Sequence, residues 1–115
     1  MAKASQVVIM EGEYYIIKSP NGKVLEVKDF NTENGAGIQL WSYAGHPWQQ
    51  WQFVDAGEGR WRIRNRFTGK FIDLALGGVV EGTWLHQWGR TSGLSQCWEL
   101  ESTRNGRTRI RNVLA

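Results

Sequence analysis

Few residues in this 115-residue chain have types and spacings that could do chemistry. There are two histidines, His46 and His86, and one cysteine, Cys97. No group of Cys, His and carboxylate side chains has the spacing of metal ligands. Serines, histidines and aspartates occur, but in no nucleophile motif. No glycine-rich loop leads from a strand into a helix, where it could cradle phosphate. Gly77-Gly78 reads more simply as a turn. Catalysis, a metal and a cofactor are therefore not expected. Cys97 sits between Gln96 and Trp98 in a predicted strand and reads as a buried, inert thiol. A lone cysteine allows no intrachain disulfide.

The arginines form a second candidate group. Arg60, Arg62, Arg64 and Arg66 alternate along one stretch, and Arg107, Arg109 and Arg111 along another. A spacing of two puts each set on one face of a strand. Residues 1–57 hold four Lys/Arg and six Asp/Glu, whereas residues 58–115 hold ten and five. The ladders could serve an anion or nucleic acid. A solvated outer sheet face explains them with less, so nucleic-acid binding ranks last.

The third group repeats. Gln49-Gln50-Trp51 and Gln96-Cys97-Trp98 carry the same Gln-x-Trp at a separation of 47 residues. An ungapped shift of 47 also superposes Glu11-Gly12 on Glu58-Gly59, Ile16 on Ile63, Gly22-Lys23 on Gly69-Lys70, Gly35 on Gly82 and Trp41 on Trp88. Similar pairs fill in, including Tyr14/Trp61, Glu26/Asp73, Ile38/Leu85 and Phe53/Leu100. A third copy opens at Asn105-Gly106, where Ile110 and Asn112 match Ile63 and Asn65, and it stops at Ala115. Such a repeat is one supersecondary unit used several times.

Each copy reads as four short strands. In the first these are Glu13–Lys18, Lys23–Lys28, Gly37–Tyr43 and Gln50–Asp55. In the second they are Arg60–Arg66, Lys70–Leu76, Thr83–Trp88 and Gln96–Glu101. The segments carry β-formers or alternation, with turn pairs such as Asn21-Gly22 and Asn34-Gly35 between them. Four strands of this length cannot bury their own apolar face. Three copies about a pseudo-threefold axis can, by closing a barrel.

With "Ile-Gln-Leu-Trp" at 38–41, Gln-x-Trp ten residues after Gln39, and both tryptophan pairs in register, the sequence resembles the ricin B-type β-trefoil lectins. The resemblance runs from Glu11 nearly to the end. It implies an all-β trefoil of one domain: repeat one at 11–57, repeat two at 58–104 and a partial third at 105–115. First and fourth strands build the barrel, and second and third form capping hairpins. Three full copies would take about 141 residues, so one capping hairpin is missing. Gln6-Val7-Val8-Ile9 falls in a fourth-strand slot, so residues 1–10 are a candidate for a further barrel strand. Either the missing hairpin is absent by nature, leaving a face for a partner or second copy, or the chain is part of something longer.

The resemblance also implies a sugar site in each complete repeat. A sugar offers apolar C–H faces and rings of hydroxyls, met by an aromatic face and by planar donors and acceptors. In repeat two, Asp73 matches the family's hydroxyl-binding Asp, Trp88 the stacking aromatic and Gln96 the supporting Gln. Ser95 stands where Asn is usual, and His86 where Gln is frequent. Repeat one offers a weaker second site: Trp41, Gln39 and Gln49 match, but Glu26 replaces the Asp and Trp48 the Asn. The implied ligand is a carbohydrate or glycoconjugate, of galactose or N-acetylgalactosamine type. Trp51 and Trp98 are expected in the core, with Trp61 and Tyr14 filling the barrel. A protein-binding trefoil using Ala44–Trp48 and Thr91–Ser95 is the competing reading. No apolar run is long enough to span a membrane. The start lacks a secretory leader, which fits a cytosolic protein or a mature secreted form.

Overall fold

The computed structural model describes residues 8–75 and 84–114. Eight strands follow one another: β1 Val24–Val27, β2 Ile38–Trp41, β3 Trp51–Gly57, β4 Arg60–Asn65, β5 Phe71–Leu74, β6 Leu85–Trp88, β7 Trp98–Ser102 and β8 Thr108–Asn112. All pairings are antiparallel. β1–β2 and β5–β6 are the capping hairpins of the two complete repeats. β3, β4, β7 and β8 make the barrel wall, with β4 pairing to both β3 and β7. The two hairpins meet where Gly35 N–H donates to the Gln87 carbonyl and Gln87 N–H to the Ala36 carbonyl, at 2.8 and 2.9 Å. The chain is a β-trefoil, with two capping hairpins among the described residues. Among the described residues no helix is long and apolar enough to cross a membrane.

The Gln-x-Trp motif explains itself in this frame. Each motif spans the exit from a short 3-10 turn, Pro47–Gln49 or Leu94–Gln96, into a barrel strand. The Trp51 and Trp98 indoles are buried in the core with Val27, Phe53, Ile63 and Ile72. Their N–H groups must find acceptors there, and donate to the Leu25 and Ile72 carbonyls at 3.0 and 3.1 Å. Gln49 and Gln96 are equally buried. Each bridges its own loop: Gln49 takes Ala44 N–H and donates to the Ser42 carbonyl, and Gln96 takes Thr91 N–H and donates to the Gly89 carbonyl. The motif is a loop clamp followed by a core anchor. Cys97 is buried between them.

One expectation fails at the front of the molecule. Glu13–Lys18 is not a ladder strand but touches the sheet at two isolated bridges, Tyr15 to Trp51 and Lys18 to Val24. The repeat-two counterparts are Trp61 to Trp98 and Arg64 to Phe71. Structurally, then, Tyr15 and not Tyr14 stands where Trp61 does, and the ungapped alignment is off by one there. The cause is a turn one residue shorter: Ser19 N–H reaches the Lys23 carbonyl, whereas Asn65 N–H reaches that of Lys70. Tyr15 packs its ring against Phe53, with centroids 5.6 Å apart. Tyr14 is exposed instead, under the Arg66 guanidinium.

The arginine ladders face outward and find local partners. Arg109 and Arg111 pair with Glu101 and Glu99 on β7 at 3.0 and 3.3 Å. Arg64 donates to the Gly69 carbonyl and Arg66 to the Gln50 side chain. Arg62 is half-buried and reaches the Thr91 carbonyl. The second and third strands are shorter than the sequence predicts, and Gln96 sits in the 3-10 turn rather than in β7. Residues 1–7, holding most of the further-strand candidate, and the Gly77-Gly78 turn lie outside the described residues.

Candidate functional site

Each capping hairpin places a carboxylate opposite a donor. Register pairs Asp73 with His86 across β5–β6, and Glu26 with Gln39 across β1–β2. Period-two alternation puts Trp88, two residues beyond His86, and Trp41, two beyond Gln39, on those same faces. Both tryptophans are exposed, at 39% and 57%. The loop clamps then bring Gln96 beneath Asp73 and Gln49 beneath Glu26. Four residues distant in sequence thus converge in repeat two, and four in repeat one.

The two constellations differ in what remains available. Glu26 is 5% exposed and both its oxygens are taken, Oε1 by Gln49 at 3.0 Å and Oε2 by Gln39 at 2.8 Å. Asp73 is 8% exposed, and only Oδ2 is engaged, by Gln96 at 3.4 Å and by His86 Nε2 at 3.5 Å. Its Oδ1 has no partner among the described residues. Both donors of Asp73 fall on Oδ2, whereas those of Glu26 fall on separate oxygens. The Oδ1 oxygen is itself shielded from solvent, and a buried carboxylate oxygen without a donor is costly. The His86 and Trp88 rings lie 5.5 Å apart, tilted by 32°. Trp88 is backed by Gly35 of the neighbouring repeat, where an added Cβ would lie 3.9 Å from the ring. Ser95 is in the 3-10 turn just ahead of Gln96, its carbonyl held by the Asn112 side chain at 2.9 Å.

Repeat one carries a pocket of about 370 Å³ that the sequence only half shows. Besides Glu26, Gln39, Trp41 and Gln49 it is lined by Phe30, His46 and Trp48. Trp48, at the position of Ser95, stacks on His46 at 4.2 Å and leans on Phe30 at 5.1 Å. Asp29 and Phe30, also in the lining, adopt φ of 55° and 43°, a left-handed conformation that costs energy for non-glycine residues. Nothing in the local sequence signals it; proximity of His46 to Trp48 is the one clue. The repeat-two counterpart of Asp29–Ala36 is 76–83, outside the described residues. Gln87, not singled out by its sequence, is fully buried and ties the caps together, donating to the Asn31 and Glu33 carbonyls at 2.7 and 2.8 Å.

The family model described as "Ricin-type beta-trefoil lectin domain-like" matches residues 6–88. The chain belongs to that family. Carbohydrate binding, without catalysis, is the family's usual role. Among solved structures, the designed 3-fold symmetric protein ThreeFoil is 29% identical, with a TM-score of 0.84, the match covering 88% of this chain and 73% of that one. 1,3Gal43A, an exo-β-1,3-galactanase from Clostridium thermocellum, is also 29% identical with a TM-score of 0.85; the match covers 94% of this chain but only 24% of the galactanase. A Polyporus squamosus lectin solved with a sialylated epitope shares the fold at 22% identity and a TM-score of 0.70, over 83% of this chain and 34% of the lectin. No curated protein matches the sequence.

Proposed function

We propose that this trefoil is a non-catalytic lectin module for galactose or N-acetylgalactosamine type sugars, with its principal site in repeat two. The observation that carries this reading is the Asp73 carboxylate, whose buried Oδ1 has no partner among the described residues, beside the exposed Trp88 ring. Vicinal hydroxyls would donate to Asp73, with His86 and Ser95 at the rim. The apolar face of the sugar would lie on Trp88, and Gln96 would hold the carboxylate in place. The name of 1,3Gal43A as a galactanase supports the choice of sugar class. The repeat-one site, with Glu26, Gln39, Trp41 and Gln49, is the weaker second site in this reading.

A single shallow site binds weakly, so useful affinity would come from several sites presented together. The exposed side of the first hairpin offers a route. Leu40 stands where Gln87 stands in repeat two, yet it is 41% exposed while Gln87 is buried. A second copy covering that face would multiply the sites.

A glycan array on the purified chain, run beside Asp73→Ala and Trp88→Ala, tests the reading. Selective binding of galactose-type glycans that both substitutions abolish is the expected result. Binding that survives both would move the site elsewhere. Silence from folded protein would favour a protein-binding trefoil working through the Ala44–Trp48 and Thr91–Ser95 loops.

A further inference from the structure

The aromatic wall of the repeat-one pocket does not end at the pocket. Phe30, His46 and Trp48 are in the lining. Phe67 is outside it, yet its ring stands edge-on to Trp48, with centroids 5.6 Å apart and planes at 72°. Phe67 lies in the turn between β4 and β5, in repeat two. The rings therefore form one continuous ridge, Phe30 to Trp48 to Phe67, that leaves the pocket and crosses onto the neighbouring repeat.

The fold holds this ridge in place. The Asn65 side chain, on a residue only 1% exposed, donates to the Trp48 carbonyl at 3.0 Å and accepts the Phe67 N–H at 2.9 Å. One buried amide thus ties both backbones together. The same clamp recurs one repeat later, where Asn112 donates to the Ser95 carbonyl and accepts the Leu114 N–H, at 2.9 and 3.0 Å. The scaffold is common to both sites, but the side chains it presents are not. Gly93, Ser95 and Leu114 stand where His46, Trp48 and Phe67 stand. The core does not account for the rings at the two ends of the ridge: Phe30 is 59% exposed and Phe67 44%. Phe30 also holds its place at positive φ, a strain that collects at ligand-binding positions. Exposed apolar side chains gathered on one side mark a binding surface.

The chemistry of that surface is specific. Glu26, Gln39 and Gln49 give the pocket a polar side, and the ridge beyond it is aromatic. A purely apolar partner would seal those polar groups away from water at a cost. A chain of sugars matches the pattern, with hydroxyls for the polar side and an apolar C–H face for each exposed ring.

Given the lectin reading, on which this rests, we propose that the ridge is a second subsite. Repeat one then takes two linked sugar residues, the first in the pocket and the second against Phe67, whereas repeat two takes one. Phe67 is the residue that sets the difference.

Titration of the full chain, followed by the indole N–H signals of Trp41 and Trp88 in nuclear magnetic resonance, reads the two sites separately. The probes are galactose and a β-linked galactose disaccharide. At Trp41 the disaccharide is expected to bind about 5-fold tighter than galactose, the size of one added ring contact, and at Trp88 the two should differ by less than about 2-fold. Phe67→Ala should erase the preference at Trp41 and leave galactose binding at both sites unchanged. Phe67→Leu, which installs the side chain of the equivalent Leu114, should do the same without leaving a gap beside Trp48. Equal affinities for the two probes at Trp41, or a preference that survives both substitutions, would overturn the second subsite while the lectin reading stands. So would a response at Trp88 alone, which leaves repeat one without a ligand. Silence at both tryptophans would overturn the lectin reading and the second subsite with it.

Discussion

The two complete repeats place a carboxylate at the same point of the same hairpin, and use it differently. Glu26 is a closed structural node: buried, with each oxygen on a glutamine amide. Asp73 takes both its contacts at Oδ2, and its Oδ1, also buried, has no partner among the described residues. One methylene separates the two side chains. Glu26 meets its two donors with separate oxygens, whereas both donors of Asp73 fall on one oxygen. Around them the relation inverts. Repeat one has the aromatic wall of Phe30, Trp41, His46 and Trp48, whereas repeat two places the small Ser95 where Trp48 stands. Among the described residues the aromatic pocket and the unpaired carboxylate oxygen therefore fall in different repeats, and neither feature alone marks the better site.

Substitutions can break this contrast. Asp73→Ala should weaken sugar binding by roughly 100-fold, as expected for loss of hydrogen bonds to a charged acceptor, read by titration calorimetry. A loss under about 3-fold would make the two repeats equivalent or shift the site to repeat one. Glu26→Ala should do the reverse. It strands the Gln39 and Gln49 amides in a buried setting, so it should cost about 2 kcal/mol of stability in denaturant unfolding while leaving repeat-two binding nearly intact. Asp73→Ala, which strands no short hydrogen bond, should cost less. Trp88→Ala should weaken binding by about 5-fold through lost stacking, and Trp41→Ala by less in the same titration. Arg64→Ala, on the outer sheet face, should leave sugar binding unchanged and change stability by under about 0.5 kcal/mol. A clear loss of binding there would contradict the placement of both sites on the hairpins.

The repeat, its period, the all-β class and the trefoil architecture were legible because they follow from periodicity and from a motif used twice. Gln-x-Trp had to recur wherever a loop clamp and a core indole were needed, so its spacing reported the unit directly. Asp73, His86 and Trp88 were singled out through the family resemblance, and the hairpin register brings the three to one face. Phe30, His46 and Gln87 were not, because their contacts join segments whose proximity only the packed caps create.

By itself the sequence determined the alternation of inward and outward residues, the two tryptophan anchors and the carboxylate chosen in each hairpin. These are local or periodic properties. Three matters were decided by tertiary structure: the one-residue offset that puts Tyr15 in place of Tyr14, the backbone twist at Asp29–Phe30, and which carboxylate oxygen is left without a donor. Each depends on distances of a few ångströms between residues far apart in the chain. A shift alignment has no measure of those distances, because they arise when turn length, packing and hydrogen bonding are satisfied together.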